Sequence, residues 1–333
     1  MLTLGRYYYR NGNYLVTFDE YSRKLEKKAF RFNEEFNPDF PDSIDLKITN
    51  KCSWACPWCH ESSIKEGNTF NPDKLFKVLS CLPKKPIEIA IGGGNVLDIP
   101  KETGMLIDWL NERGNLPRIT INYKDIVKRW NETEGDCLNL VKKPRLCIGI
   151  SLDSVPDMPE TPDWCLPNWH KTSIEDENTY NFAYETIYNT NSVLHIIAGV
   201  FPANEFEHLL RTFQSNPILI LGYKQWGRGK ELKFPINQIK EFEEVITECL
   251  FTNNKKLKNL IKRPIGFDNL AIEQLHIREK ISGNVWQSLY LGEEGSHSMY
   301  IDAVKGEFAR TSRSSERVSW DNISLIDYFK TLS

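Results

Sequence analysis

Three cysteines stand close together in the segment CSWACPWCHES. Cys52, Cys56 and Cys59 fall within eight residues, and His60 follows the last of them directly. Thiolate and imidazole groups ligate zinc, haem iron and iron–sulfur clusters, and a close pair of thiols can also act as a redox dithiol. The segment therefore predicts a metal centre or a redox site.

The spacing of the cysteines separates these four kinds of site. A structural zinc site needs four ligands and often two cysteine pairs. No second pair is present in the sequence, and His60 directly follows Cys59, which makes it difficult for both residues to bind one tetrahedral zinc. CPWCH is formally the attachment pattern of c-type haem, but haem attachment usually belongs to exported proteins. A haem site would leave Cys52 without a role, and so would a redox dithiol at CPWC. The spacing favours a [4Fe–4S] cluster with three thiolate ligands, whose fourth iron is open to a small molecule.

The cysteine segment directly follows the first strand of a strand–helix alternation. Hydrophobic periodicity predicts six such pairs, which is typical of a parallel sheet with helices outside it. Active sites of such sheets lie at the carboxyl ends of the strands. Six units fit either an open doubly wound sheet or a curved partial barrel. The predicted strands are 44–49, 87–91, 118–123, 146–152, 193–201 and 217–221, and the predicted helices are 73–82, 102–112, part of 125–141, 176–188, 205–214 and 236–251.

Shorter β segments flank the alternation. YYYRNGNYLV is a hairpin pattern in which Asn11 and Gly12 would supply the two positive φ angles of a type I′ turn. Near the C-terminus, SLYLG and SMYIDAVKGEFARTS predict an antiparallel pair, followed by a short helix. We expect an N-terminal β extension over 1–42, a core over 43–253, and a β-rich extension over 254–333 that covers the mouth of the barrel.

Composition excludes several classes of protein. The 333 residues carry a formal net charge of −3, which gives no electrostatic attraction to nucleic acid or an anionic membrane. No apolar run reaches membrane-spanning length and no signal-peptide pattern is present, so we expect a cytoplasmic protein with reduced thiols. The remaining cysteines stand singly, which is typical of buried apolar positions; they are Cys81, Cys137, Cys147, Cys165 and Cys249. The role of Cys165, in the WCLPNW loop, stays open.

The motifs, taken in order, resemble the radical SAM superfamily. KITNKCSWACPWCHESS is similar to its cluster-binding loop, and IEIAIGGGNV to its glycine-rich motif at the end of the second strand. ISLDS, HIIAGVF and LILGYKQWGRG fall where its fourth, fifth and sixth strands contact the nucleoside. The resemblance covers roughly residues 43–251. It implies an α/β fold with a partial (βα)6 TIM-like barrel, and a [4Fe–4S] cluster on Cys52, Cys56 and Cys59 that binds S-adenosylmethionine.

The resemblance also implies contacts to S-adenosylmethionine. Gly92, Gly93, Gly94 and Asn95 would lie at the methionyl amine, Ser151 and Asp153 at the ribose, and Trp58 beside the adenine. The family often has an acidic residue at the position of Asn95, so this chain lacks a charge there. Each residue has a simpler interpretation as well. The glycines suit a tight turn, and Asn95, Ser151 and Asp153 suit caps. Outside this set, His195 suits a hydrogen-bonded core position, and Arg228 either binds a carboxylate or lies in a solvated loop.

No motif in the sequence identifies the substrate. We expect a radical enzyme that cleaves S-adenosylmethionine reductively and abstracts hydrogen from a peptide or protein side chain. The alternatives are rearrangement or dehydrogenation of a small metabolite, nucleotide or sugar, and a cluster-bearing redox or scaffold protein without turnover. Because no cysteine follows Cys249, a single cluster is expected. An enzyme of this kind needs an electron donor such as flavodoxin or ferredoxin.

Overall fold

The computed structural model describes most of the chain, and Cys165 and the start of the predicted helix 176–188 lie outside the described part. The described residues are 5–19, 24–31, 34–155, 182–189, 192–252, 260–261, 263–290 and 292–332. Among them, no helix is both long enough and apolar enough to cross a bilayer.

A large, mostly parallel sheet forms the centre of the molecule. Six successive parallel strands lie side by side in chain order. They are β4 (Ser43–Thr49), β5 (Glu88–Gly93), β6 (Leu116–Asn122), β7 (Cys147–Leu152), β8 (Val193–Ile197) and β9 (Ile218–Leu221). Each overlaps one of the six predicted strands, so the predicted α/β class and parallel sheet are confirmed.

The sheet extends beyond these six strands at both edges. β10 (Ile265–Phe267) adds in parallel beside β9, and β11 (Ser298–Asp302) adds in parallel beside β4. β12 (Glu307–Ala309) and β13 (Val318–Ser319) then continue in antiparallel fashion. The predicted pairing of SLYLG is wrong, because most of its residues lie in or directly after the helix Gly283–Leu289 and β11 pairs with β12 instead. The short edge strands, which no local pattern distinguishes, complete a ten-stranded sheet.

Helices cover one face of the sheet. The predicted helix within 125–141 is two short helices, since the chain between 129 and 135 is not helical. The helices of the alternation are α1 (Pro72–Leu79), α2 (Pro100–Glu112), α3 (Tyr123–Lys128), α4 (Asp136–Val141), α5 (Phe182–Tyr184), α6 (Phe206–Thr212) and α7 (Ile236–Ile246). Two π-helical turns, Glu185–Asn189 and Thr247–Phe251, continue α5 and α7. Further short helices are Asn269–Gln274, Ile277–Lys280 and Leu325–Lys330.

The two faces of the strands differ in chemistry. On β4, Ile44, Leu46 and Ile48 are at most 1% exposed and belong to the main apolar core under the helices. The intervening Asp45 and Lys47 lie on the opposite face, since side chains alternate along a strand. There the Lys47 ammonium lies 2.6 Å from Glu61 and 3.3 Å from Asp302. The inner face of the sheet is therefore polar and charged.

Contacts between distant strands show that the sheet is strongly curved. In a flat sheet the seven steps from β9 to β12 would span about 34 Å, at about 4.8 Å a strand. Lys224, just after β9, nevertheless lies 3.5 Å from Ser312, just after β12. Arg228 likewise reaches Cys56 in the loop after β4, five strands away. The concave face thus encloses an interior, consistent with the predicted TIM-like form.

A separate three-stranded sheet packs at the opposite end of the strands from the cysteines. It contains β1 (Arg6–Asn11), β2 (Tyr14–Asp19) and β3 (Lys24–Ala29). The predicted hairpin is confirmed, but the type I′ turn is wrong. Asn11 still pairs in the strand, and Gly12, with φ of 55°, is the turn residue with positive φ. Asn11 is instead a buried anchor, because its amide donates to Asp42 Oδ1 at 2.8 Å, next to β4.

Candidate functional site

The three clustered cysteines lie on one loop at the carboxyl end of β4. The loop is closed at its base, where the Cys52 amide donates to the Ile64 carbonyl at 2.8 Å and the Ile64 amide donates to Asn50 at 2.9 Å. Near its tip the Cys59 amide donates to the Cys56 carbonyl at 3.2 Å. None of the three cysteines is in a disulfide, and all three residues are partly exposed. The sequence thus folds the motif into a compact loop with three free thiols.

The surroundings of the thiols suit an incoming cationic centre. Burial raises the pKa of Cys52 and of Cys56, and each is also raised by the charges of the neighbouring loop cysteines. The thiols must lose their protons to ligate iron, so a cluster would compensate this repulsion. The Trp54 amide already donates to Cys52 Sγ at 3.4 Å. Three neighbouring free thiols on one loop are a donor set that fits a [4Fe–4S] cluster.

The described side chains hold no set of three or more ligands converging on one metal ion. A cubane cluster has a different requirement, because each cysteine binds its own iron and the sulfurs surround the cluster.

The three glycines at the carboxyl end of β5 have different surroundings. A Cβ on Gly93 would lie 2.4 Å from the Thr49 carbonyl oxygen, and one on Gly94 would lie 2.1 Å from that of Lys51. Both glycines therefore permit the backbone of β5 to touch the first residues of the cysteine loop. A Cβ on Gly92 would meet nothing within 4 Å. Gly92 alone leaves open space that a ligand can use.

Asn95 is tied into the protein on both ends of its side chain. Its carbonyl oxygen accepts the Leu97 amide at 3.1 Å and so caps the helical turn Val96–Asp98, as the simpler interpretation had it. Its amide donates to Asp125 Oδ2 at 3.1 Å. The Trp54 indole, from the cysteine loop, donates to the same oxygen at 2.7 Å. The buried carboxylate of Asp125 thus joins the cysteine loop to the glycine-rich segment.

Sequence reasoning missed Asp125, which is 2% exposed. Burial raises the pKa of this carboxyl group, while the hydrogen bond from Trp54 opposes that shift. A second acid, Asp98, accepts from the amide and the hydroxyl of Ser53 at 2.7 and 2.9 Å. Two carboxylates therefore hold the segment between the first two cysteines. The signal available in the sequence was position, because Asp125 follows β6 and loops after parallel strands meet at one edge.

The predicted ribose residues follow β7 on the same edge. Ser151 stands in register with Asn122 on β6 and with His195 on β8, so the three share a face. Asp153 does not cap a helix within the described residues; it accepts from Lys124 Nζ at 2.6 Å. A cleft of about 460 Å³ opens between this ion pair and Trp54. The cleft lies between the cysteine loop and the ends of β6 and β7.

The remaining predicted residues lie around the interior. Trp58 is partly buried against the main core. His195 fills the space over Gly149, where a Cβ would lie 2.4 Å from the imidazole, and burial lowers its pKa to about 4. Arg228 is not a solvated loop residue: its Nε donates to the Cys56 carbonyl at 3.0 Å. The structure therefore brings Gly94, Asn95 and Arg228 to the cysteine loop and leaves His195 deeper in the wall.

Comparison with solved structures shows a shared fold. SuiB of Streptococcus suis bound to S-adenosylmethionine aligns with a TM-score of 0.60 over 98% of this chain and 88% of that chain, at 8% identity. SuiB bound to the precursor peptide SuiA aligns with a TM-score of 0.55 over 88% of this chain and 65% of that chain, at 10% identity. No protein-family model matches this chain, and no curated protein matches it. Identities this low establish a similar fold and nothing finer.

Proposed function

We propose that the protein is a radical S-adenosylmethionine enzyme. The observation that carries the proposal is the cysteine loop itself: three free thiols at the carboxyl end of a parallel strand, packed against a glycine-rich strand end. When bound, the cluster would supply one electron that splits the sulfonium C–S bond and yields a 5′-deoxyadenosyl radical. The chain's own contribution is to orient the cofactor and exclude solvent around the reacting carbon.

The methionyl end of the cofactor would lie over Gly92, where the structure leaves space. The carbonyl of Asn95 is already used in a cap, so it offers little to an ammonium. Asp125 is the carboxylate at this junction, and both of its described donors, Trp54 and Asn95, bond to a single oxygen. We assign to Asp125 the negative charge that the chain lacks at Asn95, since a buried carboxylate is stabilised by a cation.

The nucleoside end would extend toward β6 and β7. Ser151 and Asp153 stand at the end of β7, and the cleft of about 460 Å³ begins beside them. The ion pair of Asp153 with Lys124 leaves its second oxygen for a ribose hydroxyl. Trp58, on the cysteine loop, supplies an apolar surface for the adenine, in line with its partly buried position.

We propose a peptide or protein side chain as the substrate. Support comes from the fold shared with SuiB, which has been captured with a precursor peptide. The charged inner face also suits a polar chain, since Lys47, Glu61 and Asp302 line it beside the cysteine loop. We further propose that residues 43–253 form the catalytic core, that 1–42 and 254–333 are extensions, and that a cytoplasmic flavodoxin or ferredoxin donates the electron.

Anaerobic reconstitution tests the proposed function. The wild-type protein should bind about four irons per chain and release 5′-deoxyadenosine and methionine when a reductant and S-adenosylmethionine are added. Replacing Cys52, Cys56 or Cys59 by Ala should abolish both results, while Cys81→Ala, on an exposed thiol away from the loop, should preserve them. Iron content that survives all three loop substitutions would refute the cluster assignment. A cluster without deoxyadenosine release would favour the redox or scaffold alternative.

A further inference from the structure

Arg228 holds the cysteine loop through three hydrogen bonds. It comes from the segment after β9, and its Nε donates to the Cys56 carbonyl at 3.0 Å while its Nη1 donates to the Ser63 carbonyl at 2.8 Å. Its backbone amide donates to the Cys59 carbonyl at 3.0 Å. Arg228 lies 172 positions from Cys56 in the sequence, and it fixes the carbonyl groups of two cysteines and of Ser63 in the same loop.

The segment around Arg228 is shaped for this close approach. Gly227 has φ of 53°, and a Cβ there would lie 2.5 Å from the His60 carbonyl oxygen. A Cβ on Gly229 would lie 3.1 Å from the Trp58 carbonyl oxygen. The Tyr223 hydroxyl donates to the Gly229 carbonyl at 2.9 Å and so fixes the segment to the residues just after β9. The two backbones are thus packed directly together with no space between them.

One nitrogen of the guanidinium is left over. Nη2 of Arg228 is buried and has no hydrogen-bond partner among the described residues. A buried donor of a charged group without a partner costs free energy, which a ligand or a water that accepts from it would recover. The Nε of the same guanidinium donates to the Cys56 carbonyl at 3.0 Å, so the side chain lies at this residue of the loop. The unpaired donor therefore stands beside a proposed cluster ligand.

We propose that Arg228 is a positioning residue with two roles, both of which rest on the proposed function. Its hydrogen bonds hold the cysteine loop in shape before a cluster is loaded. Its remaining N–H and positive charge then act on the bound cluster or its Cys56 thiolate. Hydrogen bonds and positive charge at the sulfurs favour the reduced, more negative state of a cluster and raise its reduction potential.

The first test needs no cluster. Alkylation of each cysteine in the apoprotein is followed by mass spectrometry for wild type, Arg228→Gln and Lys230→Gln, the last removing an exposed cation from the same segment. Losing the two side-chain bonds to the loop should speed alkylation of Cys52, Cys56 and Cys59 by roughly 25-fold in Arg228→Gln, because each net bond is worth about a factor of five. Lys230→Gln should react like wild type. Equal rates in all three proteins would overturn the positioning role.

The second test uses the reconstituted protein. Iron per chain and the midpoint potential, followed by electron paramagnetic resonance, are measured for wild type, Arg228→Lys and Arg228→Gln. Arg228→Gln should load less iron, and its remaining cluster should have a more negative midpoint. Arg228→Lys keeps the positive charge but loses the guanidinium hydrogen bonds. Its midpoint potential should therefore be closer to that of wild type than its iron content is. If Arg228→Gln is unfolded by circular dichroism, Arg228→Lys decides alone, through lower iron loading than wild type.

The outcomes separate this inference from the function on which it rests. A wild-type protein that takes up no cluster overturns the proposed function and the action of Arg228 on the cluster, while the alkylation result still decides the positioning role. A wild-type cluster with unchanged loading and potential in both Arg228 variants overturns the inference and leaves the function standing.

Discussion

Replacing Asp125 tests the junction between the cysteine loop and the glycine-rich segment. Asp125→Ala leaves two donors without an acceptor, the Trp54 indole at 2.7 Å and the Asn95 amide at 3.1 Å. Hydrogen bonds to a charged group contribute about 1.5–3 kcal/mol each. Burial of the carboxylate itself costs part of that gain, so we expect a loss of about 2–4 kcal/mol in the free energy of unfolding. Asp125→Asn keeps one carbonyl acceptor and should lose about half as much.

Urea unfolding of the apoprotein measures this loss directly. The matched control is Asp108→Ala on α2, because Asp108 pairs with Lys143 at 2.5 Å but is about half exposed, with 49% of its side-chain surface accessible. A surface pair of this kind contributes at most about 1 kcal/mol. An Asp125→Ala variant as stable as Asp108→Ala would refute the view that Asp125 joins the two loops.

Ligand binding by Asp125→Asn then tests the charge assigned to this residue. With the cluster reconstituted, its affinity for S-adenosylmethionine should fall by about 10- to 100-fold, the range of one charge-assisted hydrogen bond. Affinity for methylthioadenosine, which has no ammonium group, should change much less. Equal losses for the two ligands, measured by equilibrium dialysis, would contradict an ammonium contact at Asp125.

Four further substitutions test other parts of the structure. Gly94→Ala would place a Cβ 2.1 Å from the Lys51 carbonyl oxygen and should lower both stability and iron loading, whereas Gly92→Ala has open space and should load iron normally but bind S-adenosylmethionine more weakly. Asn11→Ala removes a buried amide that bonds to Asp42 and should cost about 2–3 kcal/mol in urea unfolding. In the folded wild-type protein the pKa of His195 is about 4, below the usual 6.5, so the unfolded chain binds the proton first and wild-type stability falls as the pH drops between these values. His195→Gln removes this group and should flatten the pH dependence of stability.

Each of these predictions has a result that contradicts it. Equal iron loading in both glycine variants would remove the distinction between packing and ligand space. A stable Asn11→Ala protein would mean that the N-terminal sheet is not anchored at Asp42. A pH profile of thermal unfolding that His195→Gln leaves unchanged between about 6.5 and about 4 would show that this imidazole is not buried as described.

Local pattern in the sequence was sufficient for the parallel core. Val193–Ile197 and Ile218–Leu221 are short runs of apolar residues bounded by turn signals, and each forms a strand near its predicted place. The cysteine loop was also visible, because its ligands are close in sequence. The pairing of β10 with β9 and of β11 with β4 was not predicted, since edge pairing depends on which strand is nearest after the sheet curves.

The partners of the cysteine loop could not be derived from the sequence for the same reason. Asp125 meets Trp54 across 71 positions, and Arg228 meets Cys56 across 172. Nothing near either residue indicates its partner; only the common edge of parallel strands brings them together. Asn11 is a further example. The local pattern correctly predicted a hairpin there, but it gave no sign of the long-range bond from Asn11 to Asp42. Local chemistry predicted the loop, and long-range packing decided what holds it.

The most direct measurement of the central claim is the electron paramagnetic resonance spectrum of the reduced, reconstituted protein with and without S-adenosylmethionine. A cluster held by Cys52, Cys56 and Cys59, with one iron open, should give a [4Fe–4S]⁺ signal whose shape changes when S-adenosylmethionine binds that iron. A missing cluster signal, or a signal that the ligand leaves unaltered at saturating concentration, would contradict the account.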